Sequence, residues 1–436
     1  MKFHMLYVSS VSACFELEND TPYYAQSAFD VSVNGAPALQ GVRTNVFSLF
    51  DLQPETAYTV AIDGDEVTFE TNSETACINV KDFGAIGDGV SDDTDAIQSA
   101  IHFCPPGGRV MVPEGTYSVR PLVLKSHMTL ELKKGAHLLG DPCEEHYPLL
   151  PGEIHDAKTG EELQVTSWEG NPFPGRQSFI SAHYAEDIAI VGEGILDGNA
   201  QNSTWWENVK TRKIARPRLV FFNHCEDITF HGITGRNSAS WNFHPFFCKN
   251  VGFYNIAVEA PADSPNTDGT DPESCDDVRF IGVRYSVGDD AIAIKSGKNP
   301  EGNRIARPTR GIRIFDCRGK DGIAIGSELS GGVEDVAIWD CDMQHERSRR
   351  GFRIKTTRKR GGSVRNIRVK DSKFVQIILY TLYSCNDDGD SADGQELTEI
   401  SQQDQPFAFT MLTVDTHHIG GYKCALCGSD HEENYE

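Results

Sequence analysis

Cys225-Glu226-Asp227-Ile228-Thr229-Phe230, Cys248-Lys249-Asn250-Val251-Gly252-Phe253 and Cys275-Asp276-Asp277-Val278-Arg279-Phe280 repeat one pattern. A cysteine leads into a polar turn centred on Asp or Asn, and an apolar-polar-apolar alternation follows. The steps from 228 to 251 and from 251 to 278 are 23 and 27 residues. Further copies stand at Glu186-Asp187-Ile188-Ala189-Ile190, Gly311-Ile312-Arg313-Ile314, Glu334-Asp335-Val336-Ala337-Ile338 and Arg365-Asn366-Ile367-Arg368-Val369. Self-similarity at this period, with period-two alternation inside each copy, predicts a coil that stacks one strand of every turn on the next. The expected fold class is therefore all-β, a right-handed parallel β-helix over residues 76–436. The 40 glycines and 20 prolines agree with a turn-rich, strand-rich chain.

Upstream of the repeats the pattern changes. Phe29, Val31 and Val33 alternate, and short strands at 46–49 and 67–71 are separated by polar turns, which reads as a small β-sandwich over residues 1–75. Leu52-Gln53-Pro54-Glu55-Thr56-Ala57-Tyr58 resembles the tyrosine-corner segment of fibronectin type III domains. Asp92-Asp93-Thr94 is placed to cap a helix from Asp95 to His102, with Ala96, Ile97, Ala100 and Ile101 on one face, suited to closing the open end of a β-helix. The repeated cysteines, with Cys317 and Cys341 at a second recurring place, read as stacked, buried thiols. Disulfides are the alternative. Cys424-Ala425-Leu426-Cys427 has no second pair or matching histidines for zinc. The tail after Gln395 loses the repeat. No cofactor or metal is expected.

The formal net charge of −24 argues against a nucleic-acid partner, and no apolar run reaches the roughly 18 residues of a membrane span. The start, Met1-Lys2-Phe3-His4-Met5-Leu6-Tyr7, reads as a mature start, with a cytoplasmic location unless a leader has been removed. Residues 295–370 nevertheless hold 19 of the 40 Lys and Arg against 9 Asp and Glu, a local balance of +10. Such an island suits an anionic ligand, or else a set of solvated repeat edges.

Stacking brings residues one period apart to about 4.8 Å. Asp268, in Asn266-Thr267-Asp268-Gly269, precedes Asp289 and Asp290, in Gly288-Asp289-Asp290-Ala291-Ile292-Ala293-Ile294, by 21 and 22 residues, or one coil. Adjacent Asp289 and Asp290 point to opposite sides of an ideal strand unless a turn re-aims one of them. An acidic pair abutting a fully apolar run is costly without a purpose. Turn-capping aspartate ladders are the structural alternative.

Asn266-Thr267-Asp268, Gly288-Asp289-Asp290 and Arg353-Ile354-Lys355 resemble signature motifs of the polygalacturonases, glycoside hydrolase family twenty-eight. Asn237-Ser238-Ala239-Ser240-Trp241-Asn242-Phe243-His244-Pro245, Gly194-Ile195-Leu196-Asp197-Gly198 with Trp205-Trp206, and Ile325-Gly326-Ser327-Glu328 with Gly331-Gly332 extend the likeness from about residue 78 to about 385. The resemblance implies an inverting hydrolase of α-1,4-galacturonosyl bonds, with an anionic polysaccharide or oligosaccharide, galacturonan, as its partner. Asp289 would be the general acid, and Asp268 with Asp290 would activate water. Inversion calls for an acid and base roughly 6.5–9.5 Å apart. Asn266, Arg353, Lys355 and Tyr383 would face the substrate, the two cations holding its carboxylate. The family's Gly-His-Gly is replaced by Gly319-Lys320-Asp321-Gly322, where the histidine falls at Lys320 or Asp321 depending on the gap, and Lys320 would supply a positive charge in its place.

Exo action is expected, with the segment from Asp141 to Arg176 closing one end of a cleft. Three other readings remain at this stage: a pectate lyase, a non-catalytic carbohydrate-binding β-helix, and a hydrolase of rhamnogalacturonan.

Overall fold

Each copy of the repeat forms one strand of a single long parallel sheet in the computed structural model. The structure describes residues 1–380 and 383, apart from 20, 156–157, 159, 161, 345–350, 358–359 and 376, together with short strands at 408–409, 412–414, 422–423 and 430–431. The long sheet runs through Cys77–Asn79, Gly108–Val112, Met128–Leu132, Glu186–Gly192, Glu226–His231, Lys249–Tyr254, Asp276–Ile281, Thr309–Phe315, Val333–Trp339 and Ser363–Lys370. Its register keeps like over like: Ile188, Ile228, Val251, Val278, Ile312, Val336 and Ile367 form one buried stack. Each such aliphatic side chain withdrawn from water is worth about 1.5–3 kcal/mol.

The Asp or Asn of each repeat has a backbone reason. Asp187, Asp227, Asn250, Asp277, Asp335 and Asn366 take φ between 52° and 57°, a left-handed conformation that short polar side chains tolerate. The cysteines follow suit: Cys225, Cys248, Cys275, Cys317 and Cys341 are buried, free thiols. Cys424, Cys427 and the tail after Gln395, those short strands aside, lie outside the described residues.

Two further parallel sheets complete each coil, giving a right-handed parallel β-helix. The helix Thr94–Phe103 packs Ile97, Ala100 and Ile101 against the first coil, and it extends one residue beyond the expected bounds at either end. Asp93 holds the N-cap position, yet its carboxylate accepts the amides of Ile86 and Gly87 instead of capping the helix.

Ahead of the first coil, a three-stranded and a four-stranded antiparallel sheet occupy Phe3–Glu70 and enclose their own core around Phe15, Phe29, Phe47 and Val60. This unit docks on the outside of the long sheet. His231 is buried between the hydroxyls of Ser12 and Ser48, at 3.0 and 2.9 Å. Gly232 leaves no room for a side chain there, since a Cβ would lie 2.3 Å from the Phe50 ring. Among the described residues no helix is long and apolar enough to cross a membrane.

Candidate active site

The third sheet carries the carboxylates. Its strands Ile180–His183, Val220–Asn223 and Phe243–Phe246 continue, through single bridges at Thr270 and Glu273, into Ile292–Ile294, Ile323–Ile325, Phe352–Lys355 and Ile377–Tyr380. Val220, Phe243, Thr270, Ile292, Ile323 and Phe352 stack inward as one row. Trp241, Asp268, Asp290 and Asp321 each stand two residues before that row, on four consecutive coils. Residues far apart in the chain are therefore one sheet step apart in space.

Asp289 joins them because the turn before it re-aims the backbone. Gly288 donates its amide to Thr267 Oγ1 at 3.1 Å, and a Cβ there would lie 2.3 Å from the Ser264 carbonyl oxygen, so only glycine fits. One oxygen from each of Asp268, Asp289 and Asp290 lies within 4.8 Å of the other two. This is tighter than the 6.5–9.5 Å expected of an acid and base that flank a water. The fold brings them together: Asp268 and Asp290 are one coil, about 4.8 Å, apart, and Asp289 adjoins Asp290 in the chain.

The three carboxylates have unequal surroundings. Asp268 is 5% exposed. Burial, and then the charge of Asp289, push its carboxyl up to about 7, against the pull of Lys295 and Lys355. Asp268 therefore keeps a proton into the near-neutral range. Asp290 is buried and ion-paired twice, to Lys355 Nζ at 2.6 Å and to the guanidinium of Arg353. Asp289 is the most exposed of the three. Two cations set against three carboxyls, one of them inclined to stay protonated, leave the cluster near neutrality. That balance is poorly suited to a divalent ion, which calls for several ionised oxygens.

The remaining candidates divide. Arg353 and Lys355, expected to face a substrate carboxylate, both reach Asp290. The Tyr383 ring lies 5.7 Å from Lys355 Nζ and edge-on to Tyr380, and the Tyr383 amide donates to the Thr356 carbonyl. Asn266, expected on the substrate side, accepts a 2.6 Å hydrogen bond from Arg216 and adopts φ 56°. Its amide oxygen is thus committed to shaping the turn into Asp268. Lys320 is half-buried and makes no ion pair with any described carboxylate. The neighbouring Asp321 is the residue turned into the site, where it accepts the Val287 amide at 2.9 Å.

Sequence reasoning missed a cationic and aromatic wall. Trp168 stacks on Trp241 at 5.9 Å, and Trp241 stands one coil before Asp268. Arg216 and Arg218 lie over the Trp168 ring at 5.3 and 5.1 Å, and Arg218 donates to the Ser167 carbonyl. Lys295 lies over Trp241 at 4.6 Å, held by Glu328 at 2.9 Å and Asp271 at 3.6 Å. The segment expected to close the cleft does pack here. Its ladder Ser167–Trp168 with Asn171–Pro172 brings Glu169 to Lys298 at 3.2 Å. Arg216 and Arg218, flanking Pro217 just before an apolar run, were the available signal.

The sequence profile of Glycosyl hydrolases family 28 matches residues 153–384, and that of Rhamnogalacturonase A/epimerase, pectate lyase-like, matches residues 77–153. A protein from Vitis vinifera named "Probable polygalacturonase" is 34% identical over 306 residues, 66% of this chain and 59% of its own length. The match thus spans under two thirds of that relative. The structure of a Yersinia enterocolitica family 28 exopolygalacturonase superposes with a TM-score of 0.68 at 21% identity, covering 95% of this chain and 86% of that one. A hyperthermoactive exopolygalacturonase from Thermotoga maritima superposes with a TM-score of 0.59 at 25% identity, covering 80% and 90%.

Proposed function

The chain belongs to glycosyl hydrolases family 28, and on that premise we propose that this glycoside hydrolase cleaves α-1,4-galacturonosyl linkages of polygalacturonate or its oligomers, from a chain end and with inversion. The observation that carries the reading is the meeting of Asp268, Asp289 and Asp290 within 4.8 Å beside the Arg353 and Lys355 cations. Carboxyls supply acid and base for glycoside hydrolysis, and paired cations suit a uronate in a way that a neutral sugar would not need.

Roles follow from surroundings. Asp289, the most exposed of the three, is the general acid on the glycosidic oxygen, and Asp268 beside it holds a proton at mildly acidic pH. Asp290, neutralised by two cations, makes a poor nucleophile. Attack by a water whose proton passes to the Asp290 carboxylate, as the glycosidic oxygen takes the proton of Asp289, is accordingly favoured over a covalent intermediate, despite the short spacing. A substrate carboxylate competes with Asp290 for Arg353 and Lys355. Exo action is supported by the Trp168–Trp241 pair, which stacks one coil before Asp268.

Digestion of long polygalacturonate tests the mode of cleavage. Early release of only monomer or dimer is expected, and a ladder of mid-sized fragments contradicts chain-end attack. Proton NMR of the first product tests the stereochemistry. A β-anomer formed first agrees with inversion, and an α-anomer means that one aspartate is a nucleophile.

A further inference from the structure

We infer that Asp321 is a positioning residue for the general acid, fixing the backbone from which Asp289 projects. The inference rests on the hydrolase reading above and extends it to Asp321, one of the two residues on which the histidine of the family's motif falls.

The argument begins with two amides. Val287 and Gly288 lie between the end of the strand Arg284–Ser286 and Asp289, where the chain leaves one sheet and has not joined the next. Both amides are held by side chains of neighbouring coils. Gly288 donates to Thr267 Oγ1 at 3.1 Å, and that hydroxyl is itself tied to Ser264 Oγ at 2.6 Å. Val287 donates to Asp321 Oδ2 at 2.9 Å. The turn is therefore pinned from both neighbouring coils: Thr267 belongs to the coil before and Asp321 to the coil after. Val287 is buried and Gly288 has no space for a side chain, so the segment cannot settle elsewhere while both pins hold.

The register explains how Asp321 comes to be there. Ile292 pairs with Ile323, and the Ala291 amide donates to the Gly322 carbonyl. Asp321 thus occupies on its coil the place that Asp290 occupies on the preceding one. Its carboxylate turns back one step and meets the amide two residues before Asp289. A carboxylate accepting a backbone N–H forms a charge-assisted bond, stronger than the neutral bond made by Thr267. Proton delivery to a glycosidic oxygen needs the donor within hydrogen-bond reach, and displacement of about 1 Å can cost about 100-fold.

The test compares Asp321→Ala, Asp321→Asn and Asp321→Glu with wild type and with Asp289→Asn as the zero. Steady-state rates on polygalacturonate are measured across pH, and folding is checked by circular dichroism melting. Asp321→Ala should lose about 10-fold or more in kcat with KM changed less than about 3-fold. Asp321→Asn, whose amide oxygen still accepts the Val287 N–H, should recover most of that loss. Asp321→Glu keeps the charge but places its oxygen one methylene further out, so it should fall between them; it also decides the matter if the alanine variant does not fold. Wild-type kcat in the alanine or glutamate variant overturns the inference, as does an asparagine variant no better than alanine, because the bond is then not the means. An inactive wild type would fail the hydrolase reading, whereas an active wild type with indifferent Asp321 variants fails this inference alone.

Discussion

Replacing Asp268 with asparagine should raise the melting temperature above neutral pH while leaving it nearly unchanged near pH 4. In the folded chain this carboxyl is pushed from an ordinary 3.8 up to about 7, by burial first and by Asp289 second. Below about pH 3 the folded and the unfolded group are both protonated and the linkage term vanishes; at pH 4 the unfolded group is already about half ionised, but the term is still under about 1 kcal/mol. As pH rises from 4 to 7 the unfolded chain releases that proton freely and the folded chain does not, so wild-type stability falls through this window and levels off above it. A difference of about 3 units at about 1.36 kcal/mol each bounds the loss near 4 kcal/mol, and coupling of this buried carboxyl to its neighbours brings the expected figure to about 2–4 kcal/mol. Asparagine carries no charge and escapes the penalty. For a chain of this size the gain corresponds to roughly 2–4 °C at pH 8. Differential scanning fluorimetry of both proteins at pH 4, 5.5, 7 and 8.5 measures it. Melting curves that run parallel across pH would refute the reasoning, because Asp268 would then titrate alike in both states.

Asp289→Asn should lower kcat by at least about 100-fold with melting unchanged, since an amide keeps the shape and cannot deliver a proton; steady-state kinetics beside a thermal melt checks both halves. Lys355→Met should cost about 1.5–3 kcal/mol in kcat/KM on polygalacturonate, and less on methyl-esterified pectin, where no substrate charge is left to hold; equal losses on the two would show that Lys355 serves Asp290 alone. Trp168→Ala should open the walled end, and chromatography of early products should then show fragments longer than dimers, whereas an unchanged profile places the chain-end block elsewhere.

The fold was legible because period two and the coil period reinforce each other over many copies. Ile228, Val251 and Val278 announce the stack, and the Asp or Asn before each marks the left-handed turn. The three aspartates were legible because a separation of 21 or 22 residues is one coil. Their partners were not. Arg353 and Lys355 lie 63 and 65 residues beyond Asp290, and alternation places both on one face without saying whether they meet a protein carboxylate or a substrate one. The choice between Lys320 and Asp321 turned on one residue inside a turn, where no periodicity operates; the pairing of Ile292 with Ile323 resolves it in space. Trp168 comes from a segment with no repeat at all, so only its packing on Trp241 reveals what it does.

The most direct test of the central claim is the product of polygalacturonate digestion, assayed for reducing ends and for ultraviolet absorbance, with and without a chelator. Hydrolysis by the three aspartates predicts reducing ends that accumulate without absorbance, are indifferent to the chelator and are abolished in Asp289→Asn. An absorbing, unsaturated product, or reducing ends released undiminished by the Asp289→Asn protein, would contradict it.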